Sequence, residues 1–330
     1  MQRSLTRTAA SIALICAMLG SNLAQAEWHR DEQAIMGTRV HAELWHVDSA
    51  VAEALLAEVM AEMRRIESVF SPYIEGSELS RLNRQAAAGW QTVSAEMYAL
   101  LAAAARISAL SDGAFDITYA SAGHLYNYRQ RERPDADALA AALPAIDYRF
   151  VQLREPDQVR FERAGVLIDL GGIAKGYAVD RAIERLERRG VSQAIVAAGG
   201  DSRILGDRRG RPWSVGVQHP RRPQEMIAVL PLVDTAVSTS GDYERYFERE
   251  GIRFHHILDP TSGDSARGLR SVTIMGPEGI FTDALSTAVF VLGVDAGLAL
   301  IDRLPGIDAV LVDASGALRY SADIAPAAAD

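Results

Sequence analysis

Two hydrophobic periods, one helical and one extended, intermix along this chain and restrict the folds open to it. Apolar residues recur at spacings of three and four over residues 51–70 and 95–111, so both segments are predicted amphipathic helices. Further helices are predicted over 174–190 and in TDALSTAVFVLG. Short runs rich in β-forming residues are predicted strands: RVHAELW, GVLIDL, QAIVAA, WSVGVQ and SVTIMG. Because strands and helices do not alternate strictly, an α+β (mixed α/β) fold is favoured over a doubly wound parallel sheet.

The first residues follow the pattern of a secretory signal. Arg3 and Arg7 precede the apolar run AASIALICAMLG, and Ala24-Gln25-Ala26 forms a small-residue cleavage site. The apolar run is too short to span a bilayer, and no later segment is long enough. We therefore expect residues 1–26 to be a cleaved signal peptide. Residues 27–330 are predicted to form a single compact, soluble, periplasmic domain without an integral membrane segment, and the tail APAAAD is predicted to be disordered.

Cys16, the only cysteine of the chain, lies within this signal. Leu14 and Ile15 precede it, where a lipoprotein signal needs small residues, so a lipid anchor is not expected. The mature chain would then have no disulfide, no catalytic thiol and no cysteine-ligated metal. Any metal site would be built from oxygen or imidazole ligands.

The charge balance restricts the partners. The formal net charge is −9, whereas nucleic-acid-binding proteins usually carry a basic face, so no nucleic acid is expected as the main partner. An anionic ligand would need local help from backbone N–H groups, a metal ion or a few placed cations.

Lys175 is the single lysine among 34 basic residues, the others all being arginine. It stands in DLGGIAKGYAVD, where the predicted strand GVLIDL runs through a Gly-Gly turn into a helix, a geometry that suits a phosphate at a helix N-terminus. The P-loop pattern is absent because Gly176 and Tyr177 follow the lysine, and the dinucleotide fingerprint is broken at Ile173. Lys175 is therefore either a compact cation required in a crowded site or a chance survivor on a solvated helix face.

Nine segments in order carry a resemblance that covers nearly the whole mature chain. They are MGT, SPYIEGSELSRLN, DGAFDIT, DLGGIAKGYAVD, AAGGDSRILG, WSVGVQ, STSGDYERYF, HHILDPTSG and TDALSTAVFVLG. Together they resemble the ApbE family, the FAD:protein FMN transferases. The resemblance implies an ApbE-like fold with a nucleotide groove, export, FAD as substrate and Mg²⁺ as cofactor. It also implies transfer of FMN to a threonine hydroxyl of a target flavoprotein with release of AMP; some members hydrolyse FAD to FMN and AMP.

The resemblance also assigns site residues. The positions that match FAD contacts are Met36, Tyr73, Ala114, Phe115, Asp116, Asp169, Lys175 and Ile257. Those that match magnesium ligands are Asp283 and Thr287, with Gly172 able to contribute only its carbonyl. One carboxylate, one hydroxyl and one carbonyl are the hard oxygen donors that Mg²⁺ prefers, and residues four apart share one helix face.

Structural alternatives stand beside these roles. Tyr73 could be a half-buried aromatic packed on the first helix, and Phe115 a core residue. Asp116 could be a helix or turn cap, and Asp283 a helix N-cap. His256 is a candidate general base or phosphate-orienting residue, or else a structural residue of the Asp-Pro turn, and Asp283 is the other candidate base. His255 is expected to point the other way.

Three functions remain open. The first is an FMN transferase acting in trans on an exported flavoprotein that carries a flavinylation motif. The second is a FAD pyrophosphatase that uses water at the same site, and the third is a non-catalytic flavin-binding maturation protein. The segment DITYASAGHLYNYR departs from the family pattern, which puts the face presented to the target in doubt.

Overall fold

The computed structural model describes residues 27–325, so the predicted signal peptide with Cys16 and most of the predicted disordered tail lie outside the described residues. Four of the five predicted strands are present. They are β2, β6, β8 and β13 among the strands given next with their bounds. The strands are β1 (Glu27–Ile35), β2 (Thr38–His46), β3 (Gln91–Thr92), β4 (Val151–Arg154), β5 (Gln158–Phe161), β6 (Ala194–Ala198), β7 (Asp201–Leu205), β8 (Trp213–Gln218), β9 (Met226–Leu232), β10 (Ala236–Gly241), β11 (Tyr246–Arg249), β12 (Ile252–His255), β13 (Leu269–Gly276), β14 (Asp308–Asp313) and β15 (Leu318–Tyr320).

The predicted helices are present, with ends that differ by a few residues. The first begins where Asp48 accepts a hydrogen bond from the Val51 N–H at 3.1 Å, and the third begins where Ser94 accepts one from the Met97 N–H at 3.1 Å. The helices are α1 (Ser49–Phe70), α2 (Glu78–Gln85), α3 (Ala95–Leu110), α4 (Ala120–Gly123), α5 (Ala136–Ala142), α6 (Ala174–Arg188), α7 (Gly279–Leu292) and α8 (Val294–Ile301).

An eight-stranded sheet in the order β1-β2-β6-β7-β10-β13-β14-β15 forms the centre of the fold, and each neighbouring pair is antiparallel. Helices α1, α6, α7 and α8 pack on one face, where alternate residues such as Val40, Ala42 and Leu44 are buried. On the other face the β8–β9 ribbon packs on Val237 and Met275. The predicted mixed α+β fold is confirmed, and the sheet is not doubly wound.

The predicted strand GVLIDL is wrong. Residues 166–170 have no regular secondary structure and join no sheet. Side chains satisfy their backbone instead: Asn83 bonds both the N–H and the C=O of Ile168 at 2.9 Å, and the Ser121 hydroxyl accepts from the Leu167 N–H at 3.0 Å. The segment is nevertheless buried, which explains its strand-like composition. Among residues 27–325, no helix combines the length and apolarity needed to cross a membrane.

Candidate active site

Helices α6 and α7 meet at two glycines, and this contact builds the centre of the site. A Cβ on Gly176 would overlap the carbonyl oxygen of Gly279, and one on Gly279 would lie 2.6 Å from the Gly176 carbonyl oxygen. The approach lets the Gly176 N–H donate to Asp283 Oδ2 at 2.9 Å. Asp180 of α6 caps α7 by accepting from the N–H groups of Gly279 and Ile280, at 2.7 and 2.8 Å. Asp283 therefore lies inside α7, and its alternative as an N-cap is wrong.

Lys175 lies between two buried carboxylates. Its Nζ is 2.5 Å from Asp201 Oδ2 and 3.3 Å from Asp283 Oδ1, and these acidic side chains are only 3% and 4% exposed. Burial alone would lower the pKa of Lys175, but the two carboxylates raise it above its ordinary value. Burial raises the pKa of Asp283, Asp201 raises it further, and Lys175 and the Gly176 N–H oppose the rise. Lys175 is not a survivor on a solvated face.

Asp201 lies in the motif AAGGDSRILG, which by itself indicates no role for this residue. It opens β7 directly after Gly199 and Gly200, and a Cβ on Gly200 would lie 2.5 Å from the Thr239 carbonyl oxygen. The paired glycines thus let β7 lie close to β10 and place the Asp201 carboxylate under Lys175. The available signal was an aspartate directly after the Gly-Gly pair that follows the predicted strand QAIVAA.

The three predicted magnesium ligands converge. Thr287 lies one turn after Asp283 on α7, and a Cβ on Gly172 would be 3.3 Å from Thr287 Oγ1. No group of three or more His, Cys, Asp or Glu side chains within residues 27–325 is arranged to hold a metal ion. A cation here would therefore be held by one carboxylate, neutral oxygens, water and the ligand. That donor set fits Mg²⁺, which usually retains several waters.

The GAFD turn lies against the Gly-Gly turn. Phe115 belongs to the hydrophobic core, and its ring would be 3.3 Å from a Cβ on Gly172, so the alternative of a core residue is observed. Asp116 Oδ1 accepts from the N–H and hydroxyl of Thr118 at 2.7 and 2.6 Å, and Oδ2 accepts from the Tyr148 N–H at 2.7 Å. Burial raises the pKa of Asp116, although these bonds oppose it. Asp116 is thus a turn cap, while half-buried Ala114 lies beside Phe115.

Met36, Tyr73 and Asp169, which are also predicted FAD contacts, lie in three different local environments. Met36 has φ 56° in the β1–β2 turn, and its N–H donates to Glu67 Oε1 at 2.9 Å. Tyr73 is 83% exposed, so the alternative of half-buried packing on α1 is wrong. Asp169 Oδ1 accepts from the Gly171 N–H at 2.6 Å, and burial raises the pKa of Asp169 despite that bond.

The two adjacent histidines differ in their surroundings. His255 is buried, contacts the Phe290 ring edge-on, and lies with Nε2 2.9 Å from the Ala266 carbonyl oxygen. His256 is partly exposed, yet its Nδ1 is buried and has no hydrogen-bond partner among the described residues. Burial, helped by the charge of Arg245, lowers the pKa of His256 to about 3, so its imidazole is neutral. The next residue, Ile257, has its side chain in the core and could meet a nucleotide only through its backbone.

The Asp-Pro turn is held by residues other than His256. Asp259 Oδ1 accepts from the N–H and hydroxyl of Thr261 at 2.8 and 2.7 Å, and its carbonyl accepts from the Gly263 N–H at 2.7 Å. The structure therefore gives no support to His256 as the anchor of this turn.

Similarity to known proteins identifies the family of the chain. The ApbE family model matches residues 36–311. The chain belongs to the ApbE family. It is 34% identical to the FAD:protein FMN transferase of Treponema pallidum (strain Nichols), over 94% of this chain and 92% of that protein. It is 32% identical to an FAD:protein FMN transferase of Klebsiella pneumoniae (strain 342), over 84% of this chain and 87% of that protein.

Two solved structures of the family share the fold. The ApbE protein of Thermotoga maritima superposes with a TM-score of 0.83 at 36% identity, covering 90% of this chain and 98% of that one. The apo flavinyl transferase ApbE of Pseudomonas stutzeri superposes with a TM-score of 0.80 at 32% identity, covering 91% and 96%. The predicted family and fold are confirmed, while the roles of individual site residues stay predictions.

Proposed function

We propose that the protein transfers FMN from FAD to a threonine hydroxyl of a target flavoprotein and releases AMP. The observation that carries the proposal is the convergence of Gly172, Asp283 and Thr287 beside the Lys175–Asp201 pair, in a chain whose curated relatives are named FAD:protein FMN transferases. Phosphoryl transfer depends mainly on positioning and charge neutralisation, which this arrangement suits.

Magnesium is the cofactor that the donor set favours. Asp283, Thr287 and the Gly172 carbonyl would hold it, and bound Mg²⁺ would neutralise charge on the diphosphate of FAD. Asp201 keeps the Lys175 ammonium beside Asp283, so the Asp283 carboxylate that would bind the metal is positioned before FAD binds. Tyr73 supplies an exposed ring on which a base or the flavin can stack.

The transfer of FMN requires one group that accepts the proton of the threonine hydroxyl. The threonine oxygen attacks the phosphorus of the FMN half, the bond from that phosphorus to the bridging oxygen breaks, and AMP leaves with the electron pair on its phosphate. The threonine proton passes to a base, for which His256 with its unpartnered Nδ1 and Asp283 are the candidates. A neutral His256 with a low pKa in the free protein is a weak base, so it would need the anionic ligand to raise that pKa.

The cellular setting belongs to the same proposal. Residues 1–26 would direct export, residues 27–330 would form the periplasmic transferase domain, and the acceptor would be an exported flavoprotein modified in trans.

The test is to incubate the protein with FAD and Mg²⁺, with and without an exported flavoprotein domain carrying a flavinylation motif. AMP release and covalent flavin fluorescence in denatured gel bands are followed. Transfer predicts a fluorescent acceptor, lost with EDTA and in Asp283→Ala, but kept in Asp295→Ala, which removes an exposed carboxylate from α8.

Other outcomes discriminate between the alternatives. AMP release without a labelled acceptor, across several such acceptor domains, would favour the pyrophosphatase. Bound FAD without any AMP would contradict both enzymatic functions and leave a flavin-binding protein.

A further inference from the structure

Binding of FAD at this site would bring its anionic diphosphate close to several carboxylates of the protein. Asp169, Asp201 and Asp283 place carboxylates around the position proposed for a diphosphate, which is itself anionic. Bringing another anion close to these groups is unfavourable unless cations compensate.

Lys175 cannot supply this compensation alone. Its ammonium is already bound to Asp201 at 2.5 Å and lies 3.3 Å from Asp283. Its charge is therefore balanced by two carboxylates before any ligand binds. A cation that is free of protein partners is needed in addition to the metal.

Arg245 meets this requirement. It ends the turn before β11, and its carbonyl accepts from the His256 N–H at 3.1 Å. Its guanidinium crosses to the MGT turn, where Nη2 lies 3.4 Å from the position of a Cβ on Gly37, next to Met36. This side chain is exposed, and within residues 27–325 it forms neither an ion pair nor a hydrogen bond.

The turn that carries Arg245 is held firmly. Asp242 is buried, accepts two hydrogen bonds from Arg221 at 2.7 and 2.6 Å, and donates its N–H to the Arg270 carbonyl at 3.0 Å. On the other side, the β11–β12 ladder fixes the chain from Tyr246 onward. The backbone at Arg245 is thus positioned while its guanidinium stays unpartnered, an arrangement suited to a ligand-binding cation.

We propose that Arg245 binds the diphosphate of FAD, a role that rests on the proposed function. The planar guanidinium can donate to two phosphate oxygens at once, which a lysine cannot. A guanidinium that contacts both phosphate groups would also stabilise the negative charge that grows on the AMP phosphate when the bond to it breaks. The charge of Arg245 acts to lower the pKa values of both Asp169 and His256.

The experiment measures equilibrium affinities of the full-length mature protein for FAD, FMN and riboflavin in the presence of Mg²⁺. Arg245→Gln is expected to weaken FAD binding about tenfold and FMN binding by a similar factor, because a charge-assisted bond to phosphate is lost. Riboflavin, which has no phosphate, should bind as before. Arg245→Lys should fall between the wild type and Arg245→Gln.

Arg249→Gln is the matched control. It removes a cation four residues further along, at the end of β11, and the guanidinium of that residue bonds the Arg131 carbonyl instead. FAD affinity should be unchanged. The difference between wild type and Arg245→Gln should also shrink between about 0.05 M and about 1 M NaCl, where the Debye length falls to about 3 Å.

Two results would overturn the proposal: an equal loss of affinity for all three ligands, which indicates a structural role, or no loss for any of them. Binding is read without turnover, so the test is independent of the reaction. A wild type that binds FAD but forms neither AMP nor labelled acceptor contradicts the proposed function and leaves the role of Arg245 to be decided by the affinities.

Discussion

Two parts of the candidate site, which we call the floor and the rim, differ in whether their polar groups are paired within the protein. We define the floor as Lys175, Gly176, Asp201, Gly279 and Asp283. Its polar groups are paired with each other, its two acidic side chains are nearly fully buried, and its glycines leave no space for a methyl group.

The rim, which we define as Met36, Tyr73, Arg245 and His256, is the reverse. Tyr73 is 83% exposed, the Arg245 guanidinium has no partner within residues 27–325, and His256 Nδ1 lacks one in the same range. Under the proposed function, a rigid floor would fix the positions of the metal and the phosphates in advance, whereas unpaired rim groups would remain available to the ligand. Floor substitutions should therefore change stability, and rim substitutions should change binding.

The largest effect is expected from Gly176→Ala. The new methyl group would overlap the Gly279 carbonyl and press on Asp283, forcing α6 and α7 apart, so we expect a loss of about 3 kcal/mol in the free energy of unfolding. Urea denaturation measures it. Gly76→Ala on the SPYIEG loop is the control, since nothing lies within 4 Å of its Cβ position. Equal stability of the two variants would contradict close packing at the floor.

The next largest effect is expected from Lys175→Arg. The longer planar fork would have to fit between Asp201 and Asp283, which are 3% and 4% exposed, and we expect about 2 kcal/mol of destabilisation together with loss of transferase activity. Arg188→Lys, at the exposed end of α6 and 3.5 Å from Glu184, exchanges the same residue types and should change stability by less than about 0.5 kcal/mol. A fully active Lys175→Arg protein would show that a lysine at this position is not sterically required.

The buried His255 behind the rim predicts a pH dependence. Burial lowers its pKa from 6.5 to about 4, so between these values the unfolded chain binds a proton that the folded protein does not. The free energy of unfolding therefore decreases as pH falls through this window, by up to about 1.4 kcal/mol per pH unit for this residue.

His255→Gln keeps a donor for the Ala266 carbonyl and cannot titrate, so it should flatten that part of the profile. Urea unfolding at intervals from pH 4 to pH 8 is the measurement. Above pH 7 the two profiles should run parallel, and parallel profiles at acidic pH as well would mean that His255 is not the group responsible.

Tyr73→Ala should have the smallest effect on stability and a clear effect on binding. Because the side chain is 83% exposed, we expect a change below about 0.5 kcal/mol in unfolding free energy. Loss of ring stacking should weaken FAD binding about tenfold, measured by flavin fluorescence. Tyr246→Ala is the control, because that ring is covered by Arg253 at 4.0 Å. If both variants bind FAD equally, Tyr73 is not a stacking residue.

Much of the fold could be predicted because its signals are local. Helical periodicity predicted α1, α3 and α6 to within two residues at each end, and β-rich composition predicted four of the strands. The same composition failed for GVLIDL, because burial requires apolar residues whether a segment pairs in a sheet or is bonded by Asn83 and Ser121. The start of α7 was also missed, since its cap, Asp180, comes from another helix.

The candidate site divides in the same way. Ordered motifs predicted Gly172, Lys175, Asp283 and Thr287 as members of one site, and the structure brings them together. They gave no role to Asp201 or Arg245, although both lie in quoted segments. A motif specifies which residue types recur, but it does not state which of their polar atoms remain unpaired after folding.

The sequence by itself determined the family, the helices, most of the strands and the singular position of Lys175. Only the tertiary structure decided that this lysine lies between two carboxylates and that the Arg245 guanidinium has no partner within residues 27–325. The physical reason is distance along the chain: Gly176 and Asp283 are 107 positions apart, and their hydrogen bond exists because two glycines let α6 and α7 touch. Periodicity is encoded within one turn of chain, whereas the partner of a charge depends on which elements pack against it.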